Sequence, residues 1–268
     1  MEMDCGMEAL EGRRLCAVAV PQFDHIVVVV EENHPYSAII GNSSAPFINK
    51  LANQGGLFKS SFAITHPSQP NYLALFSGST QGITSDACPV NFPGPSLGGA
   101  LIAAGKTFVS YSEDLLRAGS GTCAAGGYVR RHNPAADFAD VPAQSNRPMS
   151  DFPARISDLP AVSFVIPNKA HDMHDGTIAA ADRWLADHLG RYVRWAKRRN
   201  SLLIVTWDED DGTSNNHIPT IFFGAHVKTG KYLQKINHYL VLRAIEESTS
   251  IPLLGSSRRV DQIHDVWE

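Results

Sequence analysis

The hydrophobic positions of this chain fall into short continuous runs, and two of these runs end in paired carboxylates. The run 25–30 leads into a Glu-Glu pair, and the run 202–207 leads into an Asp-Glu pair. Short, continuous runs that are rich in β-branched residues are typical of strands buried on both faces of a parallel sheet. Ligand sites in open α/β sheets lie at the carboxyl ends of the strands, so we expect the two acidic ends to meet there.

The same alternation continues along most of the chain. Further strands are predicted over 58–62, 107–111, 162–166 and 220–223, and helices over 46–52, 97–104, 177–199 and 239–247. This order predicts an α/β fold with a mainly parallel central sheet and helices on both faces. Residues 117–157 are rich in Gly, Pro, Ala and Asn without a period, which predicts a long loop or cap region. We expect one domain over 21–268, after a poorly structured segment over 1–20.

Composition agrees with a globular protein that has one large core. The chain has 268 residues, 43% of them hydrophobic, and a formal net charge of −4. This charge argues against nucleic acid as the main partner, because such proteins usually carry a basic footprint. No apolar stretch approaches the roughly 20 residues of a membrane span. The basic run 191–199 ends a predicted helix, where cations interact favourably with the helix dipole, and we interpret it as a solvated helix end.

Ser68 lies between two prolines, just before the apolar run 73–76. Pro70 fits the first turn of a helix, which predicts Ser68 or Gln69 as the N-cap, with free N–H groups around the hydroxyl. Such an end binds phosphate, although a capping serine without chemistry is also common. The acidic strand ends favour chemistry, since crowded carboxylates need a cation or must stay protonated. A divalent metal is the simpler answer.

Six segments, taken in order, resemble one family of enzymes. They are 29–34, 66–72, 131–134, 166–168 with 172–175, 206–209 and 237–239. The chain is similar in these segments to the phosphoesterases that group bacterial acid phosphatases with phospholipases C, a branch of the alkaline phosphatase superfamily. The likeness runs over nearly the whole chain. Two departures from the family pattern, Pro35 and His171, touch neither the nucleophile nor the metal positions, so they bear on substrate preference.

The resemblance implies an alkaline-phosphatase-like fold and a site with two groups of residues. The catalytic candidates are Ser68 as nucleophile, Asn71 as a contact to the phosphoryl oxygens, His174 as proton donor to the leaving group, and His132. The metal candidates are Glu32, Asn33, Asp208 and Glu209. Oxygen ligands favour one hard divalent ion of the Ca, Mg or Mn type. His217 follows the acidic loop closely enough to reach a metal, but a surface position is equally compatible with its sequence context.

We therefore expect a metal-dependent phosphoesterase that hydrolyses small phosphate monoesters through a phosphoserine intermediate. The region 117–157 offers few apolar groups for acyl chains, but a phospholipase C-type phosphodiesterase stays open as an alternative. A sulfatase-like hydrolase is a second alternative, because Ser68 and Pro70 resemble the oxidised site of that family. Tyr72 stands where the sulfatase signature has Arg. A non-catalytic phosphate-binding relative is the third. The sequence carries no indication of oligomeric state.

The cysteines and the first residues bear on localisation. Cys88 and Cys123 are placed like a cysteine pair of exported family members, so the resemblance implies a disulfide and a periplasmic or extracellular protein. The acidic segment 1–11 is unlike a signal peptide, and the apolar core that follows Arg13-Arg14 is too short for one. The expectation is that the protein is cytoplasmic or that this start is not the native exported one. Cys5 and Cys16 show no metal-site spacing.

Overall fold

Ten strands and six α-helices make up the fold in the computed structural model, which describes residues 19–268. The strands are β1 (His25–Glu31), β2 (Gly56–Phe62), β3 (Phe108–Ser112), β4 (Ala124–Ala125), β5 (Tyr128–Val129), β6 (Asn146–Pro148), β7 (Val162–Ile166), β8 (Ser201–Trp207), β9 (His217–Gly224) and β10 (Gly230–Asn237). The helices are α1 (Tyr36–Ile39), α2 (Pro46–Gln54), α3 (Ser68–Ser77), α4 (Leu97–Ala103), α5 (Ile178–Ala196) and α6 (His238–Thr249). The segment 1–18, with Cys5 and Cys16, lies outside the described residues.

Eight of the strands form one central sheet in the order β10-β2-β9-β8-β1-β7-β3-β6. Its pairs are parallel except at β9, which runs antiparallel to both β2 and β8. The predicted mainly parallel sheet is therefore confirmed. Strand β10 was not predicted, because it lies at the sheet edge and alternates between half-buried and exposed positions. Because it contains Lys231 and Lys235, the sequence of β10 resembles that of the polar segments between strands.

The two faces of β1 enter different cores. Ile26, Val28 and Val30 pack in the cluster that contains residues of α3, α4 and α6, whereas Val27 and Val29 pack in the cluster that contains residues of α2 and α5. Full burial of each such side chain contributes about 1.5–3 kcal/mol relative to exposure. The predicted helices on both faces are confirmed. No helix among residues 19–268 has the length and apolar character needed to span a membrane.

Helix α3 is buried along its whole length. All ten of its residues are buried, and Gly78 ends it in the left-handed region with φ 71°. A Cβ at Gly78 would lie 2.3 Å from the Leu254 carbonyl oxygen, so glycine is required for this close approach. The helix begins at Ser68, with Pro67 as its N-cap. The predicted cap at Ser68 or Gln69 is thus wrong by one or two residues.

The region 117–157 contains more regular structure than the predicted loop. Strands β4 and β5 form a hairpin, and β6 pairs in parallel with β3 at the sheet edge. The rest includes short 3₁₀ turns, one of which spans Arg130–His132. The region is tied to the segment before α4 by a disulfide between Cys88 and Cys123, whose Cα atoms are 5.8 Å apart.

Candidate active site

The acidic ends of β1 and β8 lie side by side, because these strands are direct neighbours in the sheet. The Asp208 amide donates to the Glu31 carbonyl at 2.9 Å, which carries the parallel pairing to the very end of the strands. Ser68, the first residue of α3, places its Oγ 3.1 Å from Glu32 Oε2 and 3.1 Å from Glu209 Oε1. The hydroxyl can donate its single proton to one of these carboxylates at a time. The structure thus brings the candidate nucleophile and the acidic strand ends together.

The carboxylates of this cluster are hard to ionise together. Burial raises the pKa of Glu32 well above its ordinary value, and Asp208 raises it further. Burial and then the charge of Glu209 raise the pKa of Asp208 well above its ordinary value. The pKa of Glu209 is also raised by burial, although the nearby His66 opposes the shift. Such a group holds several negative charges only if a cation is supplied.

Some ligand-type atoms in the cluster lack a partner. Asn33 Oδ1 and Asp208 Oδ2 are buried and accept no hydrogen bond. Glu209 Oε2 is instead paired with His66, whose Nδ1 lies 2.5 Å away. Buried polar atoms are nearly always satisfied, so the oxygens of Asn33 and Asp208 fit a bound cation. The metal set Glu32, Asn33, Asp208 and Glu209 stays a prediction, for which oxygen donors of this kind favour a hard divalent ion.

Asn33 reaches this cluster through an unusual backbone conformation. Its φ is 48°, in the left-handed region that asparagine tolerates better than most residues. The backbone N–H of Asn33 donates a hydrogen bond to Asp208 Oδ1 at 3.2 Å. The turn after β1 therefore directs both Asn33 and Glu32 to the same edge of the sheet.

A second possible donor set overlaps the first at Glu32. Ligand atoms of Glu32, His132 and His174 all lie within 4.8 Å of one another. Two imidazoles extend the choice of metal beyond the oxygen-only site that the sequence predicts, because imidazole also suits zinc and iron. The residues present fit a divalent metal. His132 and His174 are possible ligands in addition to the oxygen donors predicted from the sequence.

His132 is buried between two groups that sequence reasoning missed. Its ring stacks on Tyr72, with ring centroids 5.3 Å apart, and its Nδ1 lies 3.2 Å from Asp172 Oδ2. Its Nε2 lies 3.2 Å from Glu32 Oε1. Burial lowers the pKa of His132 well below its ordinary value and raises that of Asp172 to about 7. Burial thus favours the neutral imidazole of His132, and the contact with Asp172 orients its ring.

Tyr72 also orients Glu32 directly. Its hydroxyl donates to Glu32 Oε1 at 2.6 Å, while Ser68 approaches the other oxygen of the same carboxylate. Tyr72 ends the family-like segment 66–72, but nothing in that segment assigns it a role at the site. Asp172 was part of a family segment, but its partner His132 is 40 residues away in the chain.

Asn71 is used differently from the prediction. Its Oδ1 accepts from the amides of Ile64 and Thr65 at 3.0 and 3.1 Å. Its Nδ2 donates to the carbonyls of Thr65 and Pro67 at 2.8 and 3.1 Å. All four hydrogen-bonding positions of this buried amide are therefore taken by the loop before Ser68. In this structure Asn71 fixes that loop, and a contact to phosphoryl oxygens would require it to give up these bonds.

The remaining histidines divide between the site and its surroundings. His174 is about a quarter exposed, and its Nδ1 lies 2.7 Å from Asp175 Oδ1. His217 points away, because its Nε2 bonds the Lys59 carbonyl and its ring stacks on Tyr36. Of the two positions that the sequence left open for His217, the structure has the one outside the acidic cluster.

Loop residues complete the site on the side of α3. Asp86 Oδ1 accepts a hydrogen bond from the backbone N–H of Gln69 at 3.1 Å. One of the N–H groups predicted to be free at the helix start is therefore occupied. Asp86 Oδ2 lies 3.3 Å from Arg131 Nε. Arg131 was part of the family-like segment 131–134, but its contact with Asp86 was not predicted, since it joins segments that are far apart in the chain.

The profile of the Phosphoesterase family matches residues 42–252. The chain belongs to this family. A phosphatidylinositol-3-phosphatase of Mycobacterium tuberculosis is 52% identical over 256 residues, which cover 94% of this chain and 86% of that protein. A phosphate-repressible acid phosphatase of Penicillium chrysogenum is 29% identical over 87% of this chain, and the match spans 60% of that longer protein. Family membership and these relatives make the chain a phosphoric ester hydrolase.

The fold has solved neighbours. A protein in the alkaline phosphatase superfamily from Vibrio parahaemolyticus has a TM-score of 0.60 over 92% of this chain and 72% of its own, at 12% identity. At that identity the likeness concerns the fold alone. The expected alkaline-phosphatase-like architecture is confirmed.

Proposed function

We propose that this phosphoesterase is a metal-dependent phosphatase that hydrolyses phosphate monoesters with Ser68 as its nucleophile. The observation that carries the proposal is the Ser68 hydroxyl, held 3.1 Å from two carboxylates at the paired ends of β1 and β8. Around it lie buried oxygens without hydrogen-bond partners, which suit a divalent cation. A cation held by Glu32, Asn33, Asp208 and Glu209 would supply Lewis acidity and neutralise negative charge at this edge of the sheet.

The reaction follows from the groups that contact Ser68. As Oγ forms its bond to phosphorus, its proton passes to Glu32 or Glu209 and the bond to the ester oxygen breaks. His174, at the mouth of the site, donates a proton to the departing oxygen. Water then attacks the phosphoserine, His174 accepts a proton from it, and Oγ regains a proton from the carboxyl that held it. Inorganic phosphate and an alcohol are the products.

The relatives agree with a phosphomonoester as the substrate class. The mycobacterial relative is named for a phosphate on a lipid headgroup, and the Penicillium relative is named an acid phosphatase. Removal of such a headgroup phosphate would break a monoester bond. We expect small soluble monoesters to be hydrolysed better than the diester bond of phosphatidylcholine.

The test compares two serines of α3. Ser68→Ala should lower kcat for p-nitrophenyl phosphate by at least about 10³-fold, because it removes the attacking oxygen. Ser77→Ala is the matched control, since the Ser77 hydroxyl donates to the Leu73 carbonyl at the other end of the same helix. Near-normal activity of Ser68→Ala, with Ser77→Ala as reference, would refute the assignment.

A further inference from the structure

Two adjacent arginines at the turn after β5 have opposite surroundings. Arg130 is 8% exposed and all three of its guanidinium nitrogens donate hydrogen bonds. They reach Asp137 Oδ1 at 2.9 Å and the carbonyls of Gly121, Val90 and Ala136 at 3.1, 2.7 and 2.6 Å. Because its donors are used in this way, Arg130 is a structural residue that holds the disulfide-linked loops.

Arg131 keeps donors available. Its side chain is 24% exposed, and its Nε lies 3.3 Å from Asp86 Oδ2 without forming a hydrogen bond. Its Nη2 lies 3.3 Å from His174 Nε2, which is a long contact. A guanidinium offers five N–H donors in a planar fork that matches phosphate oxygens. Arg131 is thus held in place with most of this capacity unused.

The position of Arg131 is linked to Ser68 from two sides. On one side, Asp86 accepts from the amide of Gln69, the residue next to Ser68. On the other, His174 contributes a ligand atom within 4.8 Å of Glu32, and Glu32 accepts from the Ser68 hydroxyl. The guanidinium therefore lies at the rim of the same site.

A cation on this side would add to the recognition of phosphate. Two of the groups predicted to contact phosphate are occupied, since the Asn71 side-chain amide is bound to its own loop and the backbone N–H of Gln69 to Asp86. Lys169 is engaged in an ion pair with Asp175. Among residues 19–268, Arg131 is the cationic side chain that contacts His174 and still has unused N–H donors. A phosphomonoester brings a second negative charge that a diester lacks.

We propose that Arg131 binds non-bridging oxygens of the substrate phosphate and sets the preference for monoesters over diesters. This inference rests on the proposed function and deepens it, because it names the residue that recognises the substrate class. The dianionic group would pair with the guanidinium fork, and the singly charged diester would gain less from the same contact.

The experiment compares Arg131→Gln and Arg131→Lys with the control Arg155→Gln. Arg155 is 79% exposed and pairs only loosely, at 3.9 Å, with Asp158. Each enzyme is assayed with the same added metal on p-nitrophenyl phosphate and bis(p-nitrophenyl) phosphate. Arg131→Gln should lower kcat/KM for the monoester by about 10- to 100-fold and leave the diester nearly unchanged. The kcat/KM of Arg131→Lys for the monoester should lie between those of the unmodified enzyme and Arg131→Gln, because lysine keeps the charge but not the planar fork of donors.

An equilibrium measurement separates recognition from a structural effect. In the Ser68→Ala background, calorimetry with inorganic phosphate should show weaker binding by about the same factor when Arg131 is changed to Gln. Thermal unfolding of each variant checks that the fold is kept. Equal losses on both esters, or unchanged phosphate binding, would overturn the role of Arg131.

The outcomes also distinguish this inference from the proposed function. If the unmodified enzyme does not hydrolyse the monoester, or if Ser68→Ala stays active, the proposed function fails. If the enzyme is active and Ser68→Ala is not, the proposed function stands. If the ratio of monoester to diester turnover is then the same in Arg131→Gln as in the unmodified enzyme, this inference alone fails.

Discussion

The two halves of the candidate site are built in different ways. The strand-end half consists of Ser68 and the carboxylates that follow β1 and β8, and its geometry is set by the parallel register of neighbouring strands. The loop half consists of Asp86, Arg131 and His132, and its geometry is set by a disulfide, by Arg130 and by Asp172. Under the proposed function, this difference separates two roles: the nucleophile and its carboxylates stand at the strand ends and the start of α3, and recognition of the substrate by Arg131 falls to a loop. Changes in the two halves should therefore affect turnover and substrate binding differently.

The largest effect should follow from removing the metal that we propose for the strand-end half. Chelation, or Asp208→Asn, should abolish turnover, because the first removes the proposed cation and the second removes one of its oxygen ligands. Elemental analysis should show stoichiometric divalent metal in the active enzyme and its loss in Asp208→Asn. The control is Asp211→Asn in the same loop, where Oδ1 only accepts from Thr213. Active enzyme without stoichiometric metal would contradict this mechanism.

The next largest effect concerns the disulfide of the loop half. Cys88 and Cys123 are 35 residues apart, and opening a loop of this size should lower the free energy of unfolding by about 2–4 kcal/mol. Urea unfolding of the double variant Cys88→Ser, Cys123→Ser measures this loss. We expect the rise in KM for a monoester to exceed the fall in kcat, because Arg131 is held by these loops and Ser68 is not. Two free thiols in protein isolated without reductant from an oxidising compartment would count against the bond.

A smaller effect should follow from Asp172→Asn, which acts at the junction of the two halves. Asp172 orients His132 through Nδ1, and the loss of such a partner of a functional histidine typically costs about 10- to 100-fold in activity or metal affinity. Steady-state kinetics and metal titration of the variant measure it. Full activity and full metal affinity would show that His132 is oriented by its stacking on Tyr72 alone.

The smallest effect lies outside both halves, on α6. Glu246 accepts from the Leu254 amide and from the Ser257 hydroxyl, and burial raises its pKa to about 7 from 4.5. A carboxyl whose folded pKa is raised stabilises the fold below its unfolded pKa and loses that contribution as the pH rises through the folded value. Relative to Glu246→Gln, the protein should therefore lose about 1 kcal/mol between pH 6 and pH 7.

Denaturation of the two proteins across this pH range is the measurement. The comparison with Glu246→Gln cancels the titration of the site carboxylates, which are present in both. An unchanged difference in the free energy of unfolding between pH 6 and pH 7 would show that Glu246 is not the titrating group.

The strand-end half was predictable from sequence, and much of the loop half was not. Continuous β-branched runs identify buried parallel strands, so the meeting of Glu32 with Asp208 follows from sheet topology. The contacts of Tyr72 and Asp172 depend on segments that fold together from distant parts of the chain, which no local pattern records. Asn71 shows the reverse case. The family resemblance implies a phosphate contact for it, and no sequence pattern shows that four neighbouring backbone groups bind its side-chain amide.

The most direct test of the central claim is to trap the phosphorylated enzyme. The enzyme is mixed with excess p-nitrophenyl phosphate, quenched in acid within the first turnovers and digested for mass spectrometry. We predict that phosphate is attached to Ser68, and that the peptide of Ser68→Ala carries none. Phosphate on another residue of the active enzyme, with Ser68 unmodified at every quench time, would contradict the account.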